Sequence, residues 1–334
     1  KLHESIHNKL QVNYLFVFLF YILKKKMKGP LFYAKILLFG EYGIIKDSKG
    51  LAIPFNAYRG ALKTSKNLEG ISKKSNENLY KFYNHIASLK SDVVSFNLAA
   101  FKKDLEDGMY FDSSIPQGYG VGSSGALVAS IYDNYADDKI TVLENLTREK
   151  LLKLKEIFSL MESFFHGKSS GLDPLNSYLS LPILINSKEN IEPAGIPSQK
   201  KGKGAVFLLD SEQVGETEPM VNIFMNKMKN EGFRKMISEE FALHTDACIE
   251  NFLQGDVKSL FGNVKSLSKV VLKNFKPMIP DAFHKVWENG IATNDYYLKL
   301  CGSGGGGYIL GFTENYKKAQ ESLKDYKLEL VYRF

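Results

Sequence analysis

Residues 116–126 read Pro116-Gln117-Gly118-Tyr119-Gly120-Val121-Gly122-Ser123-Ser124-Gly125-Ala126, three alternating glycines that run into two serines and then an apolar helical pattern. This segment has to be a loop that enters a helix. Without Cβ atoms its N–H groups can approach a ligand closely, and the helix N-terminus adds partial positive charge. Both hydroxyls can reach a phosphate oxygen or a metal, so the stretch reads as an anion cradle. Leu127, Val128, Ile131, Tyr132 and Tyr135 continue at helical spacing, which predicts a helix ending near Asp137-Asp138.

Two common phosphate motifs do not fit. A Walker-type loop needs Gly-Lys-Ser/Thr at its end, and Ala126-Leu127 follow Gly125 instead. The dinucleotide pattern GxGxxG is matched by Gly120, Gly122 and Gly125, but Pro116 and Gln117 interrupt the approach from a strand. No clear second strand with a terminal acid follows about 20 residues later. A nicotinamide oxidoreductase of the Rossmann type is thereby disfavoured.

The 334 residues suggest two domains, and 44% hydrophobic with 13% aromatic content is ample for packed cores. Cys248 and Cys301 lie far apart with no CxxC spacing, so neither a disulfide framework nor a structural zinc site is indicated, and a reducing cytoplasm fits. The formal charge is +7, but residues 1–26 carry five lysines and one glutamate and so hold +4 of it. The surplus elsewhere is too small for a nucleic-acid footprint. Within that opening segment, the apolar run at 14–23 is followed by Lys24-Lys25-Lys26 and Met27. It falls short of the about 20 apolar residues a membrane span needs, and it lacks a small-residue cleavage site. Residues 1–26 are therefore expected to be an extension outside the fold, and a membrane-surface anchor is the rival reading.

Alternating strands and helices organise the rest. Residues 31–39 form a nearly continuous apolar run, a buried strand with one charge, Lys35, in its middle. An ammonium there is costly unless it meets an anion. Residues 50–63 and 90–98 carry further strand-like runs, and the polar stretch 65–78 between them reads as a loop or hairpin connection. A longer helix follows, with Thr147 as N-cap, a stripe of Leu151, Leu154, Phe158, Met161 and Phe165, and Gly167 as its stop. Residues 178–185 and 205–209 read as strands joined by a polar linker at 187–203.

Chemistry-bearing residues concentrate in three further places. Glu162 is flanked on its helix face by Phe158 and Phe165, so it should be partly buried and should need a basic side chain or a metal ion nearby. Glu162 and His166 stand at i and i+4, a spacing that can ligate a metal. Asp173 lies eleven residues beyond Glu162 and precedes Pro174, which biases it to extended or turn geometry. Near the C-terminus, five glycines fill the six positions 302–307, more than a simple turn requires. They suggest a backbone surface that meets a ligand or another loop.

The whole pattern resembles one superfamily. The segment from Pro116 to Ala126 is similar to the central motif of the GHMP kinases, which include galactokinase, homoserine kinase, mevalonate kinase and phosphomevalonate kinase. Lys35-Ile36-Leu37-Leu38-Phe39-Gly40-Glu41-Tyr42 looks like their first motif, Gly302-Ser303-Gly304-Gly305-Gly306-Gly307 like their third, and Glu162 to Asp173 like the segment between. Lys35, the Phe-Gly-Glu continuation and the Glu162–Asp173 spacing look most like mevalonate kinase. Tyr42 departs from its usual histidine, Gly125 from alanine, and Pro174 from asparagine. Tyrosine after Gly-Glu and Ser-Ser-Gly also occur in phosphomevalonate kinases.

The resemblance implies an α+β fold of two domains: an N-terminal ATP-binding domain like the second domain of ribosomal protein S5 (27–200) and a C-terminal ferredoxin-like domain (201–334). It implies a cytoplasmic ATP- and Mg²⁺-dependent kinase acting on a small-molecule alcohol, mevalonate first, as a monomer or homodimer with no nucleic-acid partner. Gly118, Gly120, Gly122, Ser123, Ser124, Gly125 and Ala126 would hold the ATP phosphates, and Ser124 and Glu162 the Mg²⁺. Asp173 would take the acceptor proton, with Lys35 beside it. Glu41, Tyr42, Gly304, Gly305 and Gly306 would contact the acceptor. A non-catalytic nucleotide-binding regulator with the same fold is the alternative of another class.

Overall fold

The computed structural model describes residues 28–46, 48–89, 92–141 and 146–334. The 1–26 extension lies outside them, as does the side chain of His166. Two antiparallel sheets organise the chain. In the first, β2 (Gly50–Thr64) is the long central strand, with β1 (Lys28–Phe39) along one edge. Its other edge is shared by β3 (Met109–Ser113) and β4 (Ile183–Ser187), and β5 (Asn190–Pro193) pairs with β4. The second sheet has the order β7-β8-β6-β9, built from β6 (Ala205–Asp210), β7 (Tyr297–Leu300), β8 (Tyr308–Thr313) and β9 (Leu328–Arg333). That order is the one a split βαβ, ferredoxin-like unit produces. The protein has a two-domain α+β fold.

Helices cover the sheets because their apolar stripes fit nowhere else. In the N-terminal half, α1 (Gly70–Ser88), α2 (Leu98–Glu106), α3 (Ser123–Tyr135), α4 (Arg148–His166) and α5 (Leu172–Leu179) surround the first sheet. Val128, Ala129, Ile131 and Tyr132 of α3 and Leu154, Phe158 and Met161 of α4 are wholly buried. Thr147 caps α4 by accepting from the Lys150 N–H, and Gly167 ends it. Among the described residues no helix is long and apolar enough to cross a membrane.

Four local readings change. Residues 70–78 are helix rather than loop, because the Glu69 N–H is satisfied by Ser72 Oγ at 3.1 Å and Asn76, Leu79, Phe82 and Ile86 make a buried stripe. The stripe lies mostly beyond residue 78, so the polar first half read as a connection. The strand expected at 90–98 is replaced, over its described part, by an isolated bridge at Phe96 and by the start of α2. Asn97 Oδ1 accepts from the Ala100 N–H at 2.9 Å and turns the chain into that helix. Tyr178 belongs to α5, and left-handed Ser180 delays the next strand to Ile183. Finally, the polar linker holds β5, an edge strand whose Ile191 side chain is buried.

Candidate active site

Strand β1 delivers Lys35 to the glycine loop. Its backbone N–H donates to the Val121 carbonyl at 3.0 Å, so the loop is hydrogen-bonded to the strand that carries the lysine. Gly122 then caps α3 in the left-handed region at φ +79°. A Cβ at Gly122 would lie 2.9 Å from Lys35 Cγ, so the lysine stem occupies the space that a side chain would fill. The first intrahelical bond of α3 runs from the Ala126 N–H to the Gly122 carbonyl at 3.1 Å. The N–H groups of Ser123, Ser124 and Gly125 thus belong to the first turn, where helices bind anions.

Lys35 is 4% exposed, and its Nζ meets Asp173 Oδ1 at 2.8 Å. Burial works against its charge, but attraction and hydrogen bonding to Asp173 outweigh that and lift the ammonium above the ordinary lysine value. The Asp173 side chain is 38% exposed, so the ammonium of the pair is sealed while its carboxylate partner reaches solvent. Asp173 is helical, in the first turn of α5, and not in the extended or turn geometry its proline suggested. Pro174 is tolerated there because a first-turn N–H has no intrahelical partner to lose.

Glu162 stands on the same side, 3% exposed, and accepts from Ser124 Oγ at 3.0 Å and from Ser169 Oγ at 2.5 Å. Burial, then the Asp173 charge, pushes its carboxyl up to about 7 against the pull of the two hydroxyls and Lys35. Such a group gains from a cation. Among the described residues no cluster of three His, Cys, Asp or Glu side chains could hold a metal alone. The donor set of one carboxylate and one hydroxyl suits Mg²⁺, which keeps waters and takes phosphate oxygens as its remaining ligands.

Glu41 and Tyr42 sit in the seam between the two halves. Glu41 forms a buried ion pair with Lys299 of β7, and Tyr42 stacks on Phe224 at 4.6 Å between ring centroids. The Tyr42 hydroxyl donates to the Ser303 carbonyl at 2.7 Å. Their polar atoms are thus engaged within the protein. Removing one member of a buried pair strands the other charge, so Lys299→Met should cost about 3–5 kcal/mol. Denaturant midpoints check this, and Glu41→Gln combined with Lys299→Met should recover most of the loss. A cost near zero for the single variant contradicts the pair's structural weight.

The C-terminal glycine cluster meets other loops. A Cβ at Gly120 would lie 2.6 Å from the Cys301 carbonyl oxygen, and one at Gly307 would lie 2.4 Å from Tyr119 Cα, so the two glycine loops pack backbone to backbone. A third loop, between β6 and α6 (Thr217–Lys227), closes over both. The Gly215 N–H donates to the Gly118 carbonyl at 2.9 Å, and the Gly307 N–H to the Gln213 carbonyl at 2.6 Å. Gly304 and Gly305 lie against Met278 and Met220, and Gly306 against residues 213–215. The Gly305 N–H donates to the Met278 carbonyl at 2.7 Å.

Lys35, Ser124, Glu162 and Asp173 therefore converge at the α3 N-terminus, while Glu41, Tyr42 and Gly304 to Gly306 build the seam beside it. Sequence reading missed Ser169, Lys299 and the 211–217 loop. Lys299 had a legible signal, the same lone charge in an apolar strand that singled out Lys35.

No protein-family model matches the chain, and no curated protein does either. Solved structures do. L. major mevalonate kinase in complex with R-mevalonate superposes with a TM-score of 0.61 at 17% identity, over 90% of this chain and 92% of that one. The chain has the GHMP kinase fold. Streptococcus pneumoniae phosphomevalonate kinase in complex with phosphomevalonate and AMPPNP gives 0.60 at 16% identity, over 92% of this chain and 99% of that one. Lactococcus lactis galactokinase complexed with galactose gives 0.57 at 11% identity, over 91% and 92%. GHMP kinase structures thus match nearly the full described length of the chain.

Proposed function

We propose that this protein is an ATP- and Mg²⁺-dependent kinase that phosphorylates a small alcohol, with mevalonate as acceptor and 5-phosphomevalonate as product. One observation carries the reading: the Lys35–Asp173 pair, 2.8 Å apart, stands beside Ser124 and Glu162 at the N-terminus of α3. The fold shared with a mevalonate complex and an AMPPNP complex supports it.

In this reading the α3 N-terminus and the glycine loop bind the ATP phosphates through N–H groups and the helix dipole. Asp173 orients the acceptor hydroxyl and takes its proton as that oxygen attacks the γ-phosphorus. The bond from the γ-phosphorus to the bridging oxygen breaks, and ADP leaves with the electron pair. Lys35 keeps Asp173 ionised and offsets charge on the transferring group. Positioning and charge stabilisation are the main demands of phosphoryl transfer, so these few groups suffice. Ser124 and Glu162 would hold Mg²⁺, which would supply further charge neutralisation when bound.

Protons and Mg²⁺ compete for Glu162. Because burial raises its carboxyl to about 7, the Mg²⁺ concentration for half-maximal activity should rise as pH falls through that value. Glu162→Gln should raise the Mg²⁺ requirement and remove its contribution to this pH dependence. An unchanged metal requirement takes Glu162 out of the ligand set.

The acceptor is tested by a coupled assay with ATP, Mg²⁺ and a panel of mevalonate, phosphomevalonate, homoserine and galactose. Turnover with mevalonate at least about tenfold above the rest supports the reading. Phosphomevalonate is the second candidate, favoured by Tyr42 and the Ser123-Ser124-Gly125 sequence. Preference for it would move the assignment one step along the same chemistry.

A further inference from the structure

Gly125 lies inside α3 with no positive φ, so nothing in its own backbone conformation asks for glycine. Glycine within a helix costs about 1 kcal/mol relative to alanine, which leaves space as the reason for it. A Cβ there would lie 2.7 Å from the Asp173 carbonyl carbon, 2.8 Å from Pro174 N and 3.0 Å from Asp173 Cβ. Two of these atoms are backbone, in a turn stiffened by the Pro174 ring and anchored by the Leu175 N–H on the Gly171 carbonyl at 3.2 Å. From its other side α5 is tied to β1, where Ser177 Oγ donates to the Tyr33 carbonyl at 2.9 Å. Lys35 sits two residues further along β1, its stem against Gly122.

We propose that Gly125 is a positioning residue, whose missing side chain lets α5 seat against α3 and thereby places the Asp173 carboxylate on Lys35. This rests on the kinase reading for its functional consequence. The glycines of the loop then serve the protein's own reacting pair as well as the approach of a ligand, Gly122 by clearing the Lys35 stem and Gly125 by clearing the Asp173 backbone. The Gly125 and Pro174 departures noted in the sequence are one contact, not two independent changes.

A methyl group at position 125 cannot be absorbed by a flexible side chain, so α5 must shift outward and carry Asp173 with it. A misplacement of about 1 Å can cost about 10²-fold in rate. Gly125→Ala is therefore expected to lower kcat by about tenfold or more, with the KM for ATP within about threefold. In an Asp173→Asn background the same substitution should change kcat by less than about twofold, because it acts through that carboxylate. Equal losses in both backgrounds overturn the proposal. A crystal structure of Gly125→Ala should show a Lys35–Asp173 separation lengthened by a few tenths of an ångström or more, and an unchanged separation overturns it too. Should Gly125→Ala not fold, Gly125→Ala with Pro174→Asn decides the matter. Freeing the φ of residue 174 lets the turn yield, so kcat should return to within about threefold of the parent, and a folded double variant that stays slow refutes the contact. If the parent transfers no phosphoryl group to any alcohol, the kinase reading falls, and the separation in the Gly125→Ala crystal alone decides the positioning.

Discussion

Asp173→Asn is expected to lower kcat by at least about 10²-fold, the lower end of what general-base catalysis contributes, with little change in the KM for ATP. Asparagine keeps the size of aspartate and can still accept from Lys35, so packing in the first turn of α5 is preserved. It cannot take up the acceptor proton and brings no charge. The loop and α3, whose N–H groups are proposed to hold the phosphates, are untouched. The substitution does leave the Lys35 ammonium buried without its anion, so rates belong at temperatures well below the variant's melting point. Near-normal turnover with ATP still bound would remove Asp173 from the role of base.

Lys35→Met separates charge from bulk. Methionine follows the path of the lysine stem against Gly122, and the strand is otherwise apolar, so the fold should hold. What disappears is the ammonium 2.8 Å from Asp173. Preorganised charge of this kind is worth about 10²–10³-fold in kcat when removed. ATP affinity should fall by far less, because the helix dipole and backbone N–H groups remain. Equal losses in turnover and in affinity would mean that Lys35 serves the architecture of the loop rather than the transition state.

Much of this arrangement is legible in the chain because its signals are local. A lone lysine in the run 31–39, a glycine–serine stretch entering an apolar helix, and a glutamate between two phenylalanines each announce a physical cost that the fold has to meet. Thr147 and Gly167 marked both ends of α4 because caps answer to neighbouring residues. What stayed hidden depends on partners distant in sequence. The Lys299–Glu41 pair joins residues 258 positions apart. Nothing near Gly307 indicates that it would press on Tyr119, or near Gly125 that α5 would need its space. Asp173 misled because a preference before proline yields when the helix begins just ahead of it. Residues 65–78 read as a loop because the first turns of α1 are polar and its buried stripe of Leu79, Phe82 and Ile86 lies beyond residue 78.

The central claim is that the acid–lysine pair at the α3 N-terminus moves a phosphoryl group to an alcohol. Phosphorus NMR of the protein with ATP, Mg²⁺ and mevalonate observes that event directly. The predicted result is loss of the γ-phosphorus signal with growth of a phosphomonoester resonance, dependent on Mg²⁺ and abolished by Asp173→Asn. Binding of ATP with release of inorganic phosphate only, or with no phosphoester on any alcohol of the panel, would contradict it.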